Sequence, residues 1–333
     1  MKAIVINELG PYQGSLSYRT NVRRPRIKAG QLLIRVKASC VQPFDLYLVA
    51  GIFPGVSAGD VPGLEGCGIV EESQHAEFHV GQPVIFAGNG FGVHGAWAEY
   101  VTLSPDCDLV VPIPSHSKAS TESLATVPTS FLTASRALEF AKCGEGKSVL
   151  VTNGTGAVGN AVIQLALLQG ASTVIALART SNKAANLIES TAVDVIDLSQ
   201  ETVGDGVARL TEGKGVDCVI DLISGDIASR SIAAMAPWGT TVLVGAASGE
   251  MEIRLDFRDL DLKSKSVRGF SLYPDMQRNR AKHLATLSNL CKLIADGKLL
   301  ARVAVSFQLR DVVKACAVVE QGLKNVGKVA IKV

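Results

Sequence analysis

The residues with the clearest chemical potential are three glycines in the run Gly154-Thr155-Gly156-Ala157-Val158-Gly159. They stand directly after the apolar run SVLVTN (148–153) and directly before AVGNAVIQLALLQG (157–170), whose apolar residues at 158, 161, 162, 165 and 168 follow a helical period, with Gly170 placed to end it. A bare Gly-x-Gly-x-x-Gly says little; between a strand and a helix it has a mechanism. The first glycine permits a tight turn, the second lets a pyrophosphate reach the backbone, and the third lets helix and strand pack closely. The helix N-terminus then offers open N–H groups to phosphate. Gly154, Thr155, Gly156, Ala157, Val158 and Gly159 are therefore expected to hold a dinucleotide. About twenty residues on, where NAD-selective sites carry Asp or Glu for the ribose hydroxyls, the strand TVIALA (173–178) ends in Arg179, Thr180, Ser181 and, a step later, Lys183. No carboxylate is in view to repel a 2′-phosphate. Charge-assisted hydrogen bonds of roughly 1.5–3 kcal/mol each from Arg179 and Lys183, with Ser181 beside them, point to NADPH. The plainer alternative is a glycine-rich turn followed by two solvated cations.

These residues need a scaffold, and 333 residues, 47% apolar and 19% charged, are enough for two cored domains. A formal net charge of +2 gives no footprint for nucleic acid or anionic lipid. Seven scattered cysteines without a Cys-x-x-Cys pair exclude a disulfide framework and a zinc knuckle. With neither a signal peptide nor a long uncharged apolar run in view, a cytoplasmic location is expected. From Lys2 to about Val111, short β-branched runs broken by glycine and proline (KAIVI, QLLIRVKA, GCGIVEE, PVIFAG, AWAEYVTL) predict a β-rich domain. After Pro128, strands alternate with helices: SVLVTN, TVIALA, VDVIDL (193–198), VDCVIDL (216–222), TTVLVG (240–245) and SVRGF (266–270), a pattern that specifies a doubly wound parallel sheet. A tail with an amphipathic stretch over 278–295, a helix around 310–321 and a last strand, GKVAIKV, is expected to pack back on the first domain. The predicted division is 1–122 with 272–333, and 123–271.

A dinucleotide fold that starts near residue 148 is not the short-chain reductase layout, and no tyrosine here opens a Tyr-x-x-x-Lys motif. VKASCVQPFDLYLVAG (36–51), PGLEGCGIVEE (62–72), HGAWAEYV (94–101), VPTSFLTASRAL (127–138), the glycine loop and the final GKVAIKV make the sequence resemble the medium-chain dehydrogenase/reductase superfamily over essentially its whole length. The resemblance implies an α/β protein with a GroES-like β-rich catalytic domain and a Rossmann domain. It places the catalytic-zinc ligand positions of the alcohol dehydrogenases at Gln42, Leu64 and Thr129, and a leucine cannot ligate a metal. The zinc-free branch of quinone oxidoreductases and enoyl reductases is the better match. Without a Lewis acid the substrate must be activated already, as a quinone or an α,β-unsaturated carbonyl double bond is; negative charge then develops on a conjugated oxygen and needs hydrogen-bond donors and one proton.

The same resemblance implies that Gln42, Asp45 and Tyr47 surround substrate and nicotinamide, with Tyr47 the best proton donor and Asp45 serving to orient neighbours or cap a helix. Thr133, Gly245, Phe270, Ser271 and Lys328 match cofactor-side positions. His94 is a further substrate contact to consider, and Cys40 and Cys67 read as buried small hydrophobes. Gly51-Ile52-Phe53-Pro54 departs from the Gly-x-Tyr-Pro segment of mitochondrial-type enoyl reductases, since Phe53 has no hydroxyl to deliver a proton. The expectation is an NADPH-dependent, zinc-independent quinone or enone oxidoreductase, a homodimer formed through the strand after TTVLVG, acting on small molecules and not on nucleic acid or membrane. The alternatives are an enoyl-thioester reductase, a zinc alcohol dehydrogenase and a non-catalytic NADPH-binding protein.

Overall fold

A computed structural model of the chain describes residues 1–88, 95–191, 193–323 and 325–333, without the side chains of 188–191. The chain divides into two compact units: Met1–Thr129, Asp275–Leu323 and Gly327–Val333, and then Ser130–Pro274 with Lys324–Val326.

The first unit opens with the antiparallel pair β1 (Ala3–Ile6) and β2 (Leu16–Arg19). β3 (Leu32–Val41), β4 (Glu65–Ser73), β5 (Pro83–Ala87), β6 (Tyr100–Leu103) and β7 (Leu109–Pro112) follow. β3 reads LLIRVKASCV and is buried except near Arg35 and Lys37, so it can only be central. Its partners β4 and β6 both run antiparallel to it, and Leu32, Ile34, Val36, Val70, Val84 and Phe86 form one core beneath them. AWAE, expected as the start of a strand, instead precedes β6; only Ala98 bridges, to Ala3.

The second unit holds β8 (Ser148–Val151), β9 (Thr173–Ala178), β10 (Asp194–Asp197), β11 (Val216–Asp221), β12 (Met235–Leu243) and β13 (Ser266–Gly269), ordered β10-β9-β8-β11-β12-β13. Every pairing is parallel. Such sheets are covered on both faces, which is why the strands read as unbroken apolar runs. β12 begins well before the expected residue 240: Met235 pairs with Val216 and a register shift precedes Cys218↔Thr240, so the strand admits Pro237 and Gly239 at its irregular end. The helix Ala157–Leu168 is a further correction in detail. Its buried positions are Gly159–Ile163, Leu165 and Ala166, whereas Leu168 is exposed. Gly170, at φ +81°, follows the C-cap Gln169 in the left-handed conformation that ends helices.

The chain then returns to the first unit. The helix Arg280–Ala295 buries Leu287, Leu290, Cys291 and Ile294, β14 (Val303–Gln308) pairs parallel with β15 (Lys328–Lys332), and β15 lies antiparallel against β3. The helix expected from 310 begins at Val312 after a short 3-10 turn.

Candidate functional site

In the second unit the loop after β8 sits where the strand order reverses, β9 lying on one side of β8 and β11 on the other; this is the place at which open α/β sheets bind ligands. Side chains are excluded at Gly159 and Gly154 and crowded at Gly156. A Cβ at Gly159 would lie 1.8 Å from the Asn153 carbonyl oxygen, one at Gly154 2.7 Å from the Ala176 Cβ, and one at Gly156 3.0 Å from the Asn153 Nδ2. Gly156 is the N-cap of the helix Ala157–Leu168, no side chain caps its first turn, and that turn carries no acidic residue. Thr155 is buried beside it, while Ala157 and Val158 are half-buried. Compact backbone, open N–H groups and no competing carboxylate fit a pyrophosphate.

Arg179 and Ser181 are exposed at the end of β9, and Lys183 is half-buried. Burial first and the Arg179 charge second lower the Lys183 ammonium pKa, so two cations share one neighbourhood. The structure also supplies a carboxylate that the local sequence hid. Asp197, aligned with Ala178 across the β9–β10 pair, is held below the usual carboxylate range by hydrogen bonds from Ser181 and then Ser199. The expectation that no carboxylate stands near is corrected: an adjacent strand brings one in from eighteen residues beyond Arg179. Elsewhere in this unit Thr133 is buried on the helix Val127–Phe140. Gly245 and Ser271 are exposed past β12 and β13, and the Phe270 ring packs edge-on against Phe140 at 5.3 Å.

The first unit holds Gln42, Asp45, Tyr47 and also Lys328. Gln42 is the N-cap of the helix Pro43–Val49, which starts on a proline. Asp45, at N3, accepts a hydrogen bond from the Gln42 N–H at 2.9 Å. Burial lifts its carboxyl to about 7 against the lowering by that bond and by Lys328. Tyr47 lies 6.2 Å, ring to ring, from Phe53, which lies 5.3 Å from Phe44. Cys40 and Cys67 are both buried, but the Cys40 thiol donates to a buried carboxylate and so is not merely a small hydrophobe. His94 lies outside the described residues.

Around Gln42 is a polar knot centred on Glu65, the glutamate of Gly63-Leu64-Glu65. Glu65, 1% exposed, accepts at Oε1 from Lys328 Nζ, from Thr129 Oγ1 at 2.5 Å and from Cys40 Sγ at 3.0 Å. Its Oε2 accepts from the Thr129 N–H at 2.8 Å. Burial works against the Lys328 ammonium, yet the groups packed on it, Cys40 and Glu65 foremost, outweigh burial and raise its pKa. Lys328 also reaches Thr129 Oγ1 at 3.0 Å and Gln42 Oε1 at 3.5 Å. Two signals in the sequence mark Glu65: its place after Leu64 in the segment that resembles the Gly-His-Glu of the zinc relatives, and its being an isolated carboxylate inside GLEGCGIV, a run otherwise destined for burial.

This donor set does not fit a zinc ion. Leu64 is a buried aliphatic, Gln42 and Thr129 are bonded to each other at 3.0 Å, and the one carboxylate is engaged by an ammonium that a divalent cation would have to displace.

The model for the alcohol dehydrogenase GroES-like domain matches residues 28–115, and that for the zinc-binding dehydrogenase matches 157–289. A phenolphthiocerol/phthiocerol polyketide synthase chain of Mycobacterium tuberculosis is 30% identical over 94% of this chain, which spans only 14% of that protein. A bovine (Bos taurus) quinone oxidoreductase-like protein 2 is 32% identical over 64% of the chain and 61% of its own length. Among solved structures, a mycobacterial protein in complex with NADPH superposes with a TM-score of 0.86 at 28% identity, all of both chains being covered.

Proposed function

We propose, for a chain that belongs to the medium-chain dehydrogenase/reductase superfamily and to its quinone oxidoreductase-like branch, that it is an NADPH-dependent, zinc-independent oxidoreductase reducing a quinone or an α,β-unsaturated carbonyl double bond. The observation that carries this reading is the knot around Glu65: an ion pair stands among the positions that ligate metal in the zinc relatives, so the substrate must be one that accepts hydride without a Lewis acid. NADPH, when bound, supplies that hydride. The glycine loop and helix N-terminus hold its pyrophosphate, Arg179, Lys183 and Ser181 its 2′-phosphate, and Thr133, Gly245, Phe270 and Ser271 its nicotinamide half.

The first unit is assigned the proton and oxyanion chemistry. Gln42 donates from its amide to the substrate oxygen, Tyr47 supplies the proton, and Asp45 positions both by closing the helix that carries them. The aromatic trio of Phe44, Tyr47 and Phe53 favours a flat, conjugated substrate. Small molecules are the partners in this reading, a homodimer the assembly and the cytoplasm the location. Among the described residues no helix is long and apolar enough to cross a membrane.

A second reading, an enoyl-thioester reductase, is favoured by the polyketide synthase match over 94% of the chain. NADPH consumption measured with a quinone, an alkenal and an enoyl thioester in parallel, before and after treatment with a chelator, separates the two. We expect turnover on the quinone or alkenal that chelation leaves unchanged, and a loss of about 10²-fold on the enone in Tyr47→Phe. Turnover on the thioester alone selects the second reading. Tight NADPH binding with no oxidation marks a binding protein, and stoichiometric zinc marks an alcohol dehydrogenase.

A further inference from the structure

We propose that Cys143 and Cys218 form a redox-active thiol pair in the second unit: a peroxide oxidises Cys143, and Cys218 then closes a reversible disulfide. Neither step uses the nicotinamide cofactor, so the pair stands or falls independently of the reading above.

The end of a helix brings the first thiol into place. Lys142 takes the left-handed conformation, φ +54°, just after the helix Val127–Phe140. Its N–H returns to the Glu139 carbonyl at 3.0 Å and the Cys143 N–H to that of Leu138 at 2.9 Å, the two bonds of a Schellman turn. Cys143 is fixed there, half-buried. The second thiol stands on β11, paired with Val149 of β8 on one side and Thr240 of β12 on the other, and is 1% exposed. The two side chains are hydrogen-bonded to each other, and neither sulfur is in a disulfide.

A thiol has a single proton. In the neutral pair Cys143 donates to the Cys218 sulfur, and Cys218 donates to the Ala141 carbonyl oxygen at 3.3 Å. When Cys143 ionises, the Cys218 proton turns to the thiolate. That bond is the largest influence on Cys143 and lowers its pKa against burial and the Asp217 charge; the Gly144 N–H and Lys147 act with it. The same bond, with burial second, raises the Cys218 pKa, so Cys143 ionises first. Lys147 and Asp217 are themselves paired at 2.9 Å. A half-exposed thiolate beside a resolving thiol is the arrangement that oxidises selectively. Cys40, Cys67, Cys291 and Cys316 are buried, and burial pushes each of their thiols up. Cys107 is exposed and has no second thiol bonded to it among the described residues.

The Cys143 thiolate attacks one oxygen of hydrogen peroxide, the O–O bond breaks, and hydroxide leaves to take up a proton as water. Cys143 is then a sulfenic acid. The Cys218 sulfur displaces its hydroxyl group, which departs as a second water with the Cys218 proton. Two thiols and one peroxide thus give one disulfide and two waters; the sulfurs lose two electrons and the peroxide gains them.

The test uses Cys107→Ser, which removes the exposed thiol and leaves the core intact. After a small excess of hydrogen peroxide, denaturation and alkylation, two thiols should be protected, and mass spectrometry of the digest should give one cross-linked peptide pair containing Cys143 and Cys218. Dithiothreitol should restore both thiols. Adding Cys218→Ala, which cannot close the bond, should leave a sulfenic acid on Cys143 that dimedone traps; adding Cys143→Ser should leave Cys218 reduced, because its sulfur is buried. The pH midpoint for alkylation of Cys143 by iodoacetamide should rise by about one unit with Cys218→Ala, the effect of removing a charge-assisted hydrogen bond from the thiolate. Cys143 that stays reduced, that oxidises without bonding to Cys218, or that bonds to another cysteine overturns the proposal. So does an alkylation midpoint that Cys218→Ala leaves unchanged. The cross-link itself is read with both thiols present, so it decides the matter even if Cys218→Ala fails to fold.

Discussion

Arg179 and Lys183 repel one another at the end of β9, and neither makes an ion pair with a described side chain; a 2′-phosphate would relieve that repulsion. Asp197 opposes it from the neighbouring strand, tied to Ser181 and Ser199. Losing one charge-assisted bond costs roughly 1.5–3 kcal/mol, and 1.4 kcal/mol is tenfold in binding. Arg179→Ala should therefore weaken NADPH by tenfold or more and leave NADH within about twofold, as read by fluorescence titration. Asp197→Asn should move selectivity further toward NADPH. Equal losses of both cofactors in Arg179→Ala would remove Arg179 from the phosphate site. The pairing of Asp197 with Ala178 was not legible locally, because strand neighbours in a parallel sheet are set by crossovers and not by sequence distance.

At the scale of the element, the helix Pro43–Val49 carries a buried acid at N3. Facing Asp45 are the Gln42 and Leu64 N–H groups, Lys328, Glu65, Cys40 and Cys316. Its pKa rises from 3.8 to about 7, so the folded state binds the proton more tightly than the unfolded chain, and stability falls as pH rises between these values. The penalty is fully present above pH 7 and amounts to an order of 4 kcal/mol at 1.36 kcal/mol per pH unit. Asp45→Asn keeps an acceptor for the Gln42 N–H but cannot ionise. It should unfold at a higher temperature than the native protein at pH 8, with the difference closing toward pH 4. A constant difference across that range would show that Asp45 titrates as an ordinary surface acid. The capping role of Asp45 was readable from its place three residues after Gln42; its proton affinity was not, since that depends on what covers it.

At the scale of the whole molecule, the second unit ends its sheet in β13, a four-residue edge strand, and exposes Trp238, Met251, Phe257 and Leu262 at 74–81%. An open edge with apolar surface in the same unit is a liability that assembly removes. We expect a homodimer by analytical ultracentrifugation at micromolar concentration. Trp238→Glu/Phe257→Glu should shift it toward monomer while near-ultraviolet dichroism, allowing for the lost tryptophan, still reports a folded chain. A native protein that sediments as a monomer would refute the expectation.

The amino-acid sequence by itself determined the glycine loop, the alternation of strand and helix around it, the β-rich first unit and the family. Each depends on periodicity or on short spacings, and backbone geometry ties these to local structure. It also showed that Leu64 cannot bind a metal, because no fold gives an aliphatic side chain a lone pair. Only the tertiary structure decided what stands in the metal's place. Cys40 on β3, Glu65 on β4, Thr129 at the head of a helix and Lys328 on β15 are separated by up to 288 residues, and they meet because β15 and β4 both pair with β3. Burial then does the rest: where every member is nearly closed off from solvent, each charge must be answered by a neighbour, and that requirement turns four separate residues into one network.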